Sequence, residues 1–558
     1  MSCCIANAQL YKHHDWDEQA TYIEITEDDK KLPSVAIKEK YLIQYYAPFL
    51  GNGTIKLFET KHSIIQINNE KGINQQNRVY IPTRNVRKVI DIKARVIQSD
   101  GTVKNLDKNT IKELENVKDY GNFKIFAFQG VTANSQLEFI YTLERNPSSL
   151  GFVIVQKKYK VKEAEVIIRK PFSLSYRIQE YNGFPKMQTE KVEGNKQALT
   201  ATINDIEAMT DEAMASPEAS RIKVAYQVSA GSTSNIERWN NLTTNIQKNH
   251  ITQKPKKIKA LISDYTKYTS NKPRENNTQI INNICEYVHT NYNMVKGYDE
   301  NLSDLRYIIT KKKATESGII KVFSCLFNHE NLYYEFVLTS DRFNHKFDPD
   351  FYSNLNLQTA LFYFEDENKY IDPSNVNSRL NFAPTSAISN NAIFINNLGR
   401  RFKTIEIPEA SENVIKRDFN IKINTESLLP TVTCKHELTG YRGTYLRRSY
   451  KYYKNKDFNT FKNFTAVSGI DDAEFLTFKV ENENLKLVSN NTPLKLDYSY
   501  TTESLIEELS DDFILNFGKV IGTQSEFYQE EKRVNPVELF SLITYKYKII
   551  IQIPEGYT

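Results

Sequence analysis

The sequence predicts a multidomain α+β chain, with strand-rich stretches at both ends enclosing a helical centre. Three observations carry that expectation. Apolar and charged residues alternate in runs such as Ile90-Asp91-Ile92-Lys93-Ala94-Arg95-Val96, and strand text of this kind extends from about Tyr22 to Tyr181. That period of two is the mark of half-buried antiparallel strands. In the middle the spacing becomes helical, with Ile280, Ile281, Ile284, Tyr287 and Val288 on one face. After Arg400 the strand-like runs return. A chain of 558 residues is long enough for about three or four domains.

Residues 9–230 are expected to form an antiparallel β-sandwich. The turn Ser99-Asp100-Gly101 follows the first clear strand, and Leu137, Phe139, Tyr141 and Leu143 alternate in a second. Phe152–Val155, Ala164–Ile168 and Leu174–Ile178 continue at short spacing, the rhythm of a sandwich. Asn204–Pro217 reads as polar and helix-prone, Arg221–Val228 as one more strand, and Ala230–Ser234 as a link. Residues 235–400 form the α+β centre. Helices are predicted over Ile236–Asn249, Lys256–Tyr268 and Thr278–Tyr292. A helix with the apolar stripe Ile319, Val322, Phe323 and Leu326 follows, then a strand at Glu335–Thr339 and two strand-like runs ending at Asp372. Residues 401–558 are expected to be an all-β domain with strands at Tyr441–Tyr453, Phe475–Val480, Leu485–Val488 and Tyr545–Ile553. The text stops one turn after the last of these, so that domain is expected to lack its final strands and to leave Tyr545–Ile553 with an unpartnered, sticky edge.

Composition narrows the function classes. With 40% hydrophobic and 25% charged residues, the chain reads as a soluble globular protein, and a net charge of +5 over this length is mild. The short runs Lys254-Pro255-Lys256-Lys257 and Lys311–Lys313 read as solvated surface, and no basic face with interleaved aromatics argues for nucleic acid. No run of about 18 apolar residues predicts a membrane helix. The five cysteines, Cys3, Cys4, Cys285, Cys325 and Cys434, form neither a CxxC pair nor a zinc spacing, and single buried thiols are expected. Ala6-Asn7-Ala8 matches a signal-peptidase site, although the basic and apolar regions that should precede it are missing. Either the true start lies upstream or the match is chance in a polar leader. The expectation drawn is an exported protein with residues 1–8 as a leader remnant, unpacked against the fold; lipidation of Cys3 or Cys4 is the weaker option.

Several constellations invite chemistry and have a plainer reading. Asp341, Asp348 and Asp350 suggest calcium, but they lack the glycine and ligand spacing of a known loop and read as a solvated turn. Cys285 and His289 stand at i, i+4 on one helix, which is half a metal site without a second half. Cys325 lies about two and a half turns into its helix, where the dipole does little for a thiolate. A triad of Cys325, His345 and Asp372 would need a geometry foreign to the expected fold. No cofactor and no metal ion is expected.

The segments IDIKARVIQSDGTV and LEFIYTLE in the first domain carry a wider resemblance. So do ICEYVHTNY, KKKATESGIIKVF, VLTSDR and KYIDPS in the second, and FGKVIGTQSEFYQEEKR and IIIQIPEGY in the third. Together they resemble exported bacterial proteins in which a domain of unknown function precedes a transglutaminase-like (papain-like) domain and an all-β domain follows. In active members the nucleophilic Cys opens the helix, a His stands on a following strand and an Asp on the next. The resemblance places the Cys slot at or beside Glu316, in Thr315-Glu316-Ser317, the His slot near Thr359, and the Asp slot at Asp372. Two of the three slots are changed. An Asp orients and stabilises an imidazole but replaces neither nucleophile nor base, and a Thr315 or Ser317 hydroxyl has no base to activate it. The resemblance therefore implies a non-catalytic binding or scaffold protein of the cell envelope, periplasmic or at the cell surface, with a protein or envelope ligand as partner. The rival is a thiol-dependent transglutaminase-like protease or amidase with an unrecognised nucleophile.

Overall fold

The computed structural model describes residues 14–46, 55–117, 121–147, 150–192, 196–231, 233–252, 255–296, 301–424, 426–467, 469–510, 512–524 and 526–557. Contacts divide it into two compact units, Met1–Glu212 with Ser220–Ser234, and Ala213–Ala219 with Asn235–Thr558. The expected leader, with Cys3 and Cys4, lies outside the described residues. The chain is mixed and sheet-rich, with several sheets in more than one domain.

The first unit is built on an eight-stranded sheet. Its strands are β1 (Ser34–Tyr46), β2 (Lys56–Ile67), β3 (Val86–Ile97), β4 (Val103–Asn105), β5 (Gln136–Arg145), β6 (Lys160–Pro171), β7 (Gln188–Val192) and β8 (Lys196–Ile206). They lie in the order β7-β8-β6-β1-β2-β5-β3-β4. One face packs against two three-stranded sheets, formed by Leu174–Tyr181, Lys223–Ala230 and Leu150–Ile154, and by Arg78–Pro82, Gly121–Ala127 and Lys112–Val117. Val166, Ile168, Leu137 and Val96 from the large sheet share a core with Val224, Tyr226, Ile81 and Phe126 from the small ones. The layering is that of a sandwich, but the purely antiparallel expectation is corrected. β1 and β6 run parallel, with Val35 opposite Lys160 and Gln44 opposite Arg169. Residue alternation reports which side of a strand is buried and says nothing of the direction of its neighbour. The helix-prone reading of Asn204–Pro217 is corrected too: β8 runs to Ile206 and only Pro217–Ser220 makes a helical turn.

The second unit begins with helices α1 (Asn235–Ile246), α2 (Pro255–Thr269), α3 (Asn277–Asn291), α4 (Leu305–Lys311) and α5 (Glu316–His329). A five-stranded antiparallel sheet follows: β9 (Glu335–Thr339), β10 (Thr359–Phe364), β11 (Lys369–Ile371), β12 (Asn391–Asn396) and β13 (Gly399–Thr404), ordered β11-β10-β9-β12-β13. Thr315 caps α5 by accepting the Gly318 amide at 3.3 Å on Oγ1, as a threonine before an apolar stripe should. The stripe, Ile319, Val322, Phe323 and Leu326, is buried against Phe336 and Phe362 on one face of the sheet. The other face covers a second core of Val337, Leu361, Tyr363 and Phe394.

Beyond residue 405 the expectation of an all-β domain is corrected. The main sheet has five strands, β14 (Val414–Asn424), β15 (Leu429–Leu438), β16 (Glu474–Glu481), β17 (Leu494–Thr501) and β18 (Thr544–Gln552), in the order β16-β17-β15-β14-β18, and Ile506–Leu509 pairs with Asp512–Leu515 in a separate two-stranded sheet. Two helices, α6 (Gly440–Tyr453) and α7 (Phe458–Ala466), stand between β15 and β16 and pack on that sheet's core. The strand predicted at Tyr441–Tyr453 is therefore α6. Its tyrosines favour strands, but its buried positions, Gly440, Gly443, Thr444, Leu446 and Arg447, recur at helical spacing. The short strand predicted at Leu485–Val488 is a 3-10 helix, Leu485–Asn490. β18 falls at the sheet edge as anticipated, paired in parallel with β14 through Ile549 opposite Phe419. Among the described residues of both units, no helix is long and apolar enough to cross a membrane.

Candidate functional site: a groove beside Asp372

The three slots named from the sequence do not converge as a triad. Glu316 occupies the first turn of α5 and Asp372 follows the last residue of β11. The two are close enough to interact: the Glu316 carboxyl is raised above its ordinary range by partial desolvation first and the Asp372 charge second. Thr359 opens β10 opposite Thr339. Along β10, Ala360, Phe362 and Phe364 pack toward the core that holds α5, whereas Leu361 and Tyr363 pack into the other core. Alternation thus puts Thr359 on the face turned away from the helix.

Asp372 is occupied locally. Its Oδ1 accepts from the Ser374 amide at 3.0 Å and the Ser374 hydroxyl at 2.6 Å, while its own amide donates to Ser378 Oγ at 3.0 Å. This is a side-chain turn of the kind aspartate favours before Pro373. Asp372→Asn keeps the accepting Oδ1, so it should lower stability by no more than about 1 kcal/mol. Thermal or urea unfolding checks this, and a loss several times larger would show that the charge itself holds the turn.

The described thiols lie inside the fold. Cys285, Cys325 and Cys434 are free and buried. Burial pushes both Cys325 and Cys285 up to about 12, so neither forms a thiolate near neutral pH. His289 is driven down to about 4, by burial first and the Arg379 charge second. Cys285 and His289 are thus both neutral at pH 7, which suits neither an ion-paired nucleophile nor an exposed metal site. Asp341 and Asp348 cap their own turns, accepting from the amides of Phe343 at 3.0 Å and Asp350 at 2.9 Å. Among the described residues no cluster of three or more His, Cys, Asp or Glu is arranged for a metal ion.

The structure adds a groove of about 310 Å³ next to Asp372. One wall is the loop from Asp372 to Thr385. The other is a stripe of α6, Tyr441, Thr444, Tyr445 and Arg448, spaced as one helix face. The Tyr441 hydroxyl donates to the Ala383 carbonyl at 2.7 Å and Asn381 Nδ2 donates to Thr444 Oγ1 at 3.0 Å, tying the walls together. Two guanidinium groups line the groove, Arg379 and Arg448. Arg379 Nη1 donates to the Ser378 carbonyl at 2.7 Å, but the buried Nε of each arginine has no hydrogen-bond partner. Neither arginine forms an ion pair with any described carboxylate. Burial lowers the pKa of Arg448, opposed by Asp372 and reinforced by Arg379. Two arginines against one aspartate leave the groove short of negative charge, and a guanidinium fork suits a carboxylate or phosphate. Sequence reasoning missed both arginines. The helical spacing from Gly440 to Arg447 was the one signal that pointed toward α6 and Arg448.

Known proteins extend the picture in part. The family described as "Domain of Unknown Function with solved-structure structure (DUF3857)" matches residues 57–210, within the first unit. A search of curated proteins returns no match. Among solved structures, the crystal structure of a "putative protease" from Parabacteroides distasonis is similar at 12% identity with a TM-score of 0.50. The similarity covers 84% of this chain and 93% of that one. At that identity the likeness concerns the fold.

Proposed function

We propose that this protein is a non-catalytic, transglutaminase-like binding protein of the bacterial cell envelope, with the groove beside Asp372 as its binding site. The observation that carries this reading is the start of α5. Glu316 opens α5, at the slot the resemblance gives to the thiol, and the one cysteine on that helix is buried about two and a half turns further on. The groove's occupant on this reading is a partner segment bearing a carboxylate, held by Arg379 and Arg448 between Tyr441 and Tyr445. The leader-like Ala6-Asn7-Ala8 and the family resemblance support export.

A poly-glutamate peptide should bind the full chain where a poly-lysine peptide does not, and Arg448→Gln should weaken that binding about tenfold. Calorimetric titration measures both. Equal affinity for the two peptides, or an unchanged affinity in the variant, would remove the groove from consideration.

The second reading, a thiol-dependent protease or amidase, draws support from the name of the Parabacteroides structure. It requires thiol-sensitive turnover. Assays of peptide hydrolysis and amine incorporation with Cys325→Ser, Cys285→Ser and Asp372→Asn separate the two. Under the binding reading no thiol-dependent turnover is found and none of the variants changes the outcome.

A further inference from the structure

The C-terminal part of the second unit contains a larger cavity, of about 540 Å³, separate in its lining from the groove beside Asp372. It lies over the β14–β18 end of the sheet, with Ile415 and Tyr547 from those strands and Phe464 from α7. Phe540 and Ile543 close it from the segment that leads into β18. The volume is within the range of roughly 300–1,000 Å³ typical of small-molecule sites, which are mostly apolar with a few placed polar groups. Part of the lining faces water in spite of its chemistry: Phe540 is 62% exposed and Tyr545 54%. Large apolar side chains gathered around an open cavity mark a binding surface.

Two arginines, Arg417 and Arg442, supply the placed polar groups. Arg417 is engaged with the fold, through the Ile521 carbonyl at 3.2 Å and His436 Nε2 at 3.3 Å. Arg442 meets no carboxylate among the groups that shift its charge equilibrium. The groups that act on it are Arg417, Tyr445 and Tyr545, none of them an acid at neutral pH. Beneath Arg417 the buried His436 is held well below its usual range, by burial first and then by both arginines, so it adds no further positive charge. Two cations at the wall of a cavity lined partly by apolar side chains, with no acid among its described lining residues, are stabilised by an anion from outside.

We propose that this cavity binds an amphiphilic carboxylate of the fatty-acid class. The hydrocarbon chain lies among Ile415, Phe464, Phe540 and Tyr547, and the carboxylate meets the Arg442 guanidinium. The proposal is independent of the reading of the Asp372 groove, since it shares no lining residue with it.

The test uses the full chain with palmitate and hexadecanol, which share a tail and differ in the head group. Calorimetric titration should find palmitate bound about tenfold more tightly than the alcohol, the scale of one good charge-assisted contact. Arg442→Gln should bring the two affinities together by weakening the acid alone. Phe540→Asp changes a rim residue that is mostly exposed, with its ring against Phe343 at 5.2 Å. It places a negative charge at the mouth and should weaken palmitate more than hexadecanol, which keeps the test decisive if the arginine variant fails to fold. Equal binding of acid and alcohol to the unmodified protein, no binding of either, or a preference untouched by these variants overturns the proposal.

Discussion

Phe327→Ala should destabilise the second unit by about 3–5 kcal/mol, the cost of deleting a buried aromatic ring and leaving its cavity. Phe327 is fully buried on α5. Its ring lies 5.1 Å from both Phe362 and Phe364 on β10, which join the helix to the sheet, 5.4 Å from Tyr334 just before β9, and 5.6 Å from Phe323 on the same helix. Edge-to-face geometry at Phe362 and Phe364 adds roughly 0.5–1.5 kcal/mol per pair beyond the area buried. The surrounding rings belong to β10, to Tyr334 just before β9 and to α5 itself, elements that already pack together, so they cannot close over the void. Urea unfolding of the full chain, followed by near-ultraviolet circular dichroism, reads the loss. Tyr333→Ala is the control, because that ring is 53% exposed. A loss below about 1 kcal/mol for Phe327→Ala would show that the core collapses around the missing ring and is far softer than its packing implies.

The parts of this fold legible in the sequence are those set by neighbours in the chain. The apolar stripe Ile319, Val322, Phe323 and Leu326 announces α5, and Glu335–Thr339 reads as a strand because most of its residues are β-formers. Two features were hidden for a physical reason. The parallel pairing of β1 with β6 joins residues more than a hundred positions apart, and alternation is blind to strand direction. In α6, tyrosine propensity for strands competed with the spacing of Gly440, Gly443 and Arg447, and the spacing won through tertiary packing. Arg447 illustrates why: fully buried, it donates to the carbonyls of Asn482 at 2.8 Å and Thr492 at 2.6 Å, contacts that only the folded chain provides. The same error concealed the groove. Asp372 was picked out by the Asp slot of the resemblance, but Arg379 and Arg448 become groove residues only when α6 is a helix beside the 372–385 loop.

In the first unit, Glu39→Gln should remove about 3 kcal/mol of stability at neutral pH and flatten the acid limb of its stability profile. Glu39 is fully buried on β1, with Lys61 Nζ at 3.1 Å and the hydroxyls of Tyr41 and Tyr159 donating at 2.5 and 3.0 Å. Burial alone would raise its pKa. The charges of Lys61 and Lys157 and the hydrogen bonds outweigh burial and hold the carboxyl down at about 2. A carboxyl depressed in the folded state adds stability above its unfolded pKa, near 4.3, and that stability is lost as pH falls toward the folded value. The gap between unmodified and Glu39→Gln protein should therefore be full at pH 7, begin to narrow below about pH 4.5, and nearly close by about pH 2. Lys157, which burial already lowers to about 8 and which Glu39 partly restores, should fall further in the variant. Taking the difference between the two proteins matters, because Glu286 and Asp472 in the second unit are also held near 2 and titrate in the same window. Urea unfolding at pH 7, 4 and 3, with the first-unit transition followed separately, supplies the profile. A gap of constant size across that range would mean that Glu39 acts through the shape of its side chain rather than through its charge.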